Sequence, residues 1–148
     1  MKTVFTPLGQ FEEFLQGDMG KKSIFGLSYY IKEMEKEFER VRKAIPFELT
    51  EEAKQKYIDF DHINIDFKKF ISESGLLVSF DWENWLEGNE VLEGVRPMSK
   101  LNQVKVFKML TLIFKKDLDD HGYFDHHLKN GNILLMFKNL PEYSEQQS

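Results

Sequence analysis

No cysteine occurs among the 148 residues, and that one absence removes disulfides, thiolate nucleophiles and thiolate zinc sites together. No apolar run approaches the ~18 residues that span a bilayer, and the N-terminus lacks the basic-then-apolar pattern of a secretory signal. A soluble, cytoplasmic protein with no membrane partner is therefore expected. Positive charge is also short: 20 Lys and Arg stand against 25 Asp and Glu, a formal net charge of −5. Nucleic-acid binders need clustered Lys and Arg for phosphate contacts, so that class is disfavoured, although a local basic face is compatible with the count.

What the chain has in quantity is phenylalanine, fourteen residues of it. Each buried ring removes about 150–250 Å² from water, so this much Phe predicts a bulky aromatic core. The length suits one domain. The pattern predicts a mainly α fold: a single compact helical domain of about five to seven helices over residues 1–141, with room for one or two short strands. Residues 142–148 (EYSEQQS) read as a polar, disordered tail.

Along the chain, Thr6-Pro7 suits a helix start, with Thr6 as cap and Pro7 at the first helical position; Phe11, Phe14 and Leu15 follow on one face and Gly17 offers a stop. Residues 17–26 read as a loop, and the Gly20-Lys21 pair lacks the spacing of a phosphate-binding loop. From Leu27 to Ile45 the apolar residues Leu27, Tyr30, Ile31, Met34, Phe38, Val41 and Ile45 recur at helical spacing. The opposite, solvated face carries the pairs Glu33–Lys36, Glu37–Arg40, Glu39–Arg42 and Glu39–Lys43, and Pro46 closes the segment. Thr50 suits a second cap, residues around 61–74 favour a helix ending at a left-handed Gly75, and Leu76–Phe80 is strand-like. Asp81 then caps a short helix with Trp82 and Trp85, ended by Gly88; residues 88–98 form the longest loop, and Ser99 suits the next cap. The helix expected at about 100–116 is apolar nearly all round, leaving a narrow polar strip of Lys105, Lys108, Thr111 and Lys115, and so belongs in the middle of the domain.

Four groups could carry chemistry. His121, Asp125 and His126, in an elbow with Asp117, Asp119, Asp120 and His127, offer imidazole and carboxylate ligands for a divalent metal; the plainer reading is an acidic turn ending a Lys-rich helix. Asp59-Phe60-Asp61 resembles a phosphotransferase DxD but follows a poor strand, so carboxylates at a helix start account for it better. Lys105, Lys108 and Lys115 could meet phosphates, or could be the solvated edge of a buried helix. Trp82 and Trp85, three apart on one helix face, would line a pocket if partly exposed.

Two blocks carry a family resemblance. Residues 75–85, Gly-Leu-Leu-Val-Ser-Phe-Asp-Trp-Glu-Asn-Trp, resemble the G-L-apolar…F-D-W-x-x-W signature of an uncharacterised bacterial family, domain of unknown function 6508. So do Leu110-Thr111, Lys115-Lys116-Asp117, Gly122, Gly131, Ile133 and Leu140. The family pattern Arg-x-Asp/Glu-Arg-Phe is met here by Lys115-Lys116-Asp117-Leu118-Asp119, without the second Arg and the Phe. The resemblance covers about residues 57–140, leaves residues 1–56 unplaced, and implies a small, largely helical bacterial protein with no known activity.

Together these features favour a small non-enzymatic binding or interaction module, with no cofactor, that dimerises with itself or takes a protein partner. Its candidate pocket comprises Asp81, Trp82, Trp85, Lys115 and Asp117. The alternatives are a metal-dependent hydrolase or acid/base enzyme centred on His121, Asp125 and His126, and a nucleic-acid binder using Lys105, Lys108 and Lys115.

Overall fold

The computed structural model describes residues 3–44, 50–97 and 101–141. The predicted caps and stops at Pro46 and Ser99, and the tail over 142–148, lie outside them. The mainly α class holds. Among the described residues there are eight α-helices, a 3-10 turn and two short strands: β1 (Phe5–Pro7), α1 (Leu8–Gln16), α2 (Asp18–Ala44), α3 (Glu51–Gln55), α4 (Asp61–Ser74), β2 (Leu77–Ser79), the turn Trp82–Asn84, α5 (Leu86–Leu92), α6 (Gln103–Asp119), α7 (Tyr123–Lys129) and α8 (Asn132–Phe137). The helices are more numerous than expected because the C-terminal segment divides at Gly131, where a φ of 87° ends one short helix and begins another.

The stripe read from Leu27 onward is the buried face of α2, with Leu27, Ile31, Met34 and Val41 in the core. All four predicted ion pairs form on this helix: Lys36–Glu33 at 3.5 Å, Arg40–Glu37 at 2.6 Å, Arg42–Glu39, and Lys43–Glu39 at 3.6 Å. The three pairs other than Arg40–Glu37 are exposed and contribute a few tenths of a kcal/mol each, so packing of the stripe does most to hold the helix in place. Thr50 caps α3, its hydroxyl accepting from the Ala53 N–H at 3.1 Å, and α4 ends on Gly75 at φ 83° as predicted.

Other boundaries differ, for identifiable reasons. Thr6 is no cap: it lies in β1, paired in parallel with Val78 of β2, and its hydroxyl donates to the Gly75 carbonyl at 2.6 Å. Residues 18–26 are not loop but the first turns of α2. Gly17 breaks the chain between α1 and α2, and Gly20 lets the helices touch: a Cβ there would stand 2.0 Å from the Phe14 carbonyl oxygen. Gly88 likewise lies inside α5, under the Trp85 ring, so the 88–98 loop starts later than expected, after Leu92. The cap of α6 is Asn102, whose side chain accepts from Lys105 N–H at 2.9 Å.

α6 is central, packed against β2, α5, α7 and α8. Phe11, Phe60, Phe67, Phe107, Phe124 and Phe137 are fully buried, the aromatic core expected from composition. Thr111 corrects the polar strip: it is 0% exposed. Its hydroxyl accepts from the Val78 N–H at 2.8 Å and donates to the Phe107 carbonyl at 2.8 Å.

Removing that hydroxyl would strand the buried Val78 N–H, a penalty of about 1–3 kcal/mol. Thr111→Val is expected to lower unfolding free energy by about that amount in guanidinium titrations, and Thr111→Ser, which keeps the hydroxyl, by clearly less.

Candidate ligand-binding cleft

One cleft combines apolar walls with polar groups. It measures about 460 Å³ and lies between α2, the α3 region and the α7–α8 corner. Phe38, Ile58, Leu134 and Leu135 give its apolar surface; Lys54, Gln55, Lys129, Asn130 and Lys138 give its polar groups, and Gly131 completes the corner. That size and mixture match pockets for small molecules.

Each wall is fixed by local chemistry. Phe38 continues the α2 stripe but is only partly buried, and its ring meets Phe60 edge-on with centroids 5.5 Å apart. Beside it Glu37, assigned by sequence to the solvated face, is only 8% exposed. Its carboxylate takes two bonds from Arg40, at 2.8 and 2.6 Å, and one from the Asp59 N–H at 2.7 Å. Arg40 also donates to the Tyr57 carbonyl at 3.0 Å, so one ion pair clamps residues 57–59 to α2 and presents Ile58 to the cleft. The Arg40 bonds hold the Glu37 carboxyl below its usual range, against burial and with help from the Asp59 N–H. Asp59 Oδ1 accepts from the Asp61 N–H at 2.9 Å, so this carboxylate works at a helix start. On the far wall Asn130 Oδ1 accepts from the Asn132 N–H at 2.9 Å, starting α8 straight after the Gly131 corner.

The elbow leads into this wall. Asp117 accepts from the Gly122 N–H at 3.2 Å, the Phe124 N–H at 2.9 Å and Lys68 Nζ at 3.2 Å. Burial alone would raise its pKa, but these donors hold it below the usual carboxylate range. Asp125 Oδ1 accepts from Asn64 Nδ2 at 3.3 Å, and its other oxygen pairs with Lys129 at 3.6 Å. His126 lies on the exposed side of α7, 3.5 Å from Asn130 Nδ2, and His121 is exposed in the preceding turn. Among the described residues no three of His, Asp and Glu are grouped so as to hold a metal ion. His127, placed by sequence in the elbow but not among its three named ligands, is the buried histidine at 4% exposed; its Nδ1 is 3.0 Å from Asn132 Nδ2 and its ring meets Tyr123 edge-on at 4.7 Å. The adjacent Leu128 and the aromatic Tyr123 and Phe124 four and three residues before it are the available signal that this imidazole points inward.

The tryptophan block lies elsewhere. Trp85 meets Phe80 edge-on at 5.5 Å, and Lys108 Nζ sits 4.4 Å from the Trp85 ring and 4.8 Å from Phe80. Burial pushes the Lys108 ammonium below the usual lysine value, Glu87 opposing and Lys105 adding to the shift. Trp82 is half-buried, and Asp81 is exposed, accepting from Asn84 Nδ2 at 2.8 Å. Lys105 pairs with Glu87 at 2.9 Å, and Lys115 covers the Phe5 ring at 4.4 Å. Trp85, Lys115 and Asp117 thus point to three different neighbours, Phe80, Phe5 and Lys68, and none lines the cleft.

The family model described as "Family of unknown function (DUF6508)" matches residues 21–146. The match reaches back through α2, well beyond the 57–140 blocks that carry the resemblance in sequence. No curated protein and no solved structure matches the chain.

Burial of His127 pushes its pKa down to about 4, with His126 and Lys116 adding to the shift. The unfolded chain, with an ordinary histidine near 6.5, then binds the proton that the folded chain refuses. Stability is expected to be full above pH 6.5 and to fall toward pH 4 by up to about 3 kcal/mol from this group. His127→Gln removes that part of the slope, which unfolding curves at several pH values would measure.

Proposed function

The chain belongs to this family of unknown function, and we propose that it is a non-enzymatic binding module whose ligand occupies the cleft between α2, α3 and α8. One observation carries the reading: Phe38 of α2 and Leu134 and Leu135 of α8, above the buried Ile58, turn apolar surface toward a common concavity instead of closing over it. Leaving such surface open forgoes roughly 25 cal/mol per Å² of burial, which a bound apolar ligand recovers. Among the described residues the lining contains amides and amines but no carboxylate, imidazole, hydroxyl or thiol, so the acid/base pairs and activated nucleophiles of hydrolytic sites have no counterpart among them. The Asp117 and Asp125 carboxylates of the elbow are occupied by backbone N–H groups, Asn64 and lysines, which supports a scaffolding role for them.

The site is supplied by elements far apart in sequence yet rigidly tied: the Glu37–Arg40 clamp holds one wall and the Asn130–Gly131 corner the other. Such preorganisation reduces the ordering cost of binding. Saturable binding of the neutral apolar dye N-phenyl-1-naphthylamine is expected, with about one dye per chain and enhanced fluorescence. Leu134→Glu should abolish it while leaving the melting curve near wild type, since Leu134 is only partly buried. Unchanged dye binding in Leu134→Glu would remove the cleft as the site.

A further inference from the structure

The cleft is far more basic than the chain around it. Among the described residues its lining holds Lys54, Lys129 and Lys138 and no Asp or Glu, in a chain whose formal net charge is −5. The amines come from both walls, Lys54 from α3 and the other two from the ends of α7 and α8. Lys129 is shared with Asp125 at 3.6 Å, and Lys138 has no ion pair among the described residues. The side chains between them are Phe38, Ile58 and Leu134. Clustered cations beside apolar surface favour a ligand that carries its negative charge at one end only. Among the described residues no arginine lines the cleft, and arginine is the residue that grips phosphate in a planar, two-bond fork; lysine is a point charge that matches a single negative head. Gln55 and Asn130 add neutral amide hydrogen-bonding groups for the same head.

Resting on the binding reading above, we propose that the cleft takes an amphipathic monoanion, a carboxylate on an unbranched or aromatic apolar body, with the body against Phe38, Ile58 and Leu134 and the head between Lys129 and Lys138. This assigns charge selectivity to a site whose apolar character alone would accept neutral molecules equally.

Calorimetric titration of the full chain with three probes of equal tail, decanoate, decanol and decyltrimethylammonium, tests the assignment. Decanoate is expected to bind tightest and to weaken as salt rises. Lys129→Gln and Lys138→Gln should each weaken decanoate about two- to fivefold and leave decanol unchanged, the scale of a partly exposed ion pair. Decanol binding as tightly as decanoate, with both lost in Leu134→Glu, would overturn the charge selectivity and leave the cleft as a binding site. Decanoate binding that survives the double lysine variant, or preference for the cationic probe, would also overturn it. Absence of binding by all three would overturn the proposal and the binding reading together. Melting curves of the lysine variants, expected to match wild type, separate lost binding from lost folding.

Discussion

The fold turns on a single side chain that a strand borrows from a helix. Among the described residues β2 has one strand partner, β1, and its first two residues, Leu77 and Val78, are buried in the core at no more than 1% exposed. A buried strand edge without partners is costly, because each unpaired N–H has lost its water. The Thr111 hydroxyl supplies the partner, accepting from the Val78 N–H and donating to the Phe107 carbonyl within α6. That bond sets the distance between α6 and β2. β2 in turn positions β1, whose Phe5 lies opposite Leu77 and whose backbone leads straight into α1. The N-terminal segment, the strands and the central helix are therefore one assembly held at a buried polar contact in an aromatic core.

Much of this architecture is readable in the sequence because periodicity reports which face of a helix is dry. The α2 stripe, its ion pairs, the Thr50 cap and the Gly75 stop are all local signals, and all appear in the structure. Glycine is where local reading misleads. Gly20, Gly26 and Gly88 look like punctuation, yet each sits inside a helix where another group presses close: the Phe14 backbone, the Phe70 ring and the Trp85 ring respectively. Stops and close contacts use the same residue for different reasons, and only tertiary packing tells them apart. Thr111 is a parallel case, since a hydroxyl next to lysines on a helix reads as solvent edge until a strand edge is known to face it.

The candidate site was less legible, for a related reason. The cleft draws on residues near 38, 54–58 and 129–138, and no spacing rule connects them. The elbow at 117–127 attracts attention because its His and Asp residues are close in sequence, the arrangement that ligand motifs use. Folded, Asp117 turns to the N–H groups of its own turn and to Lys68, and Asp125 to Asn64 and Lys129, while Asp119 and Asp120 are exposed. The two positions where the chain departs from the family pattern, Leu118 and Asp119, are both exposed, whereas Asp117, which matches it, carries the bonds. The departures thus leave the elbow's internal bonding intact.

Elbow and cleft are then parts of one device. Asp117 fixes the start of α7 by accepting from Gly122 and Phe124; seven residues later α7 ends at Lys129, and the Asn130–Gly131 corner launches α8. Phe124 and His127, buried on the inner face of α7, keep that short helix from rotating, and Phe137 does the same for α8. Helices of seven and six residues have little stability alone, so their orientation must come from these anchors. The direction in which Lys129, Leu134 and Lys138 meet the cleft is therefore set by a carboxylate at the other end of α7. A charged elbow that looks like chemistry in sequence serves, in three dimensions, to aim a cationic and apolar wall at Phe38 and Ile58.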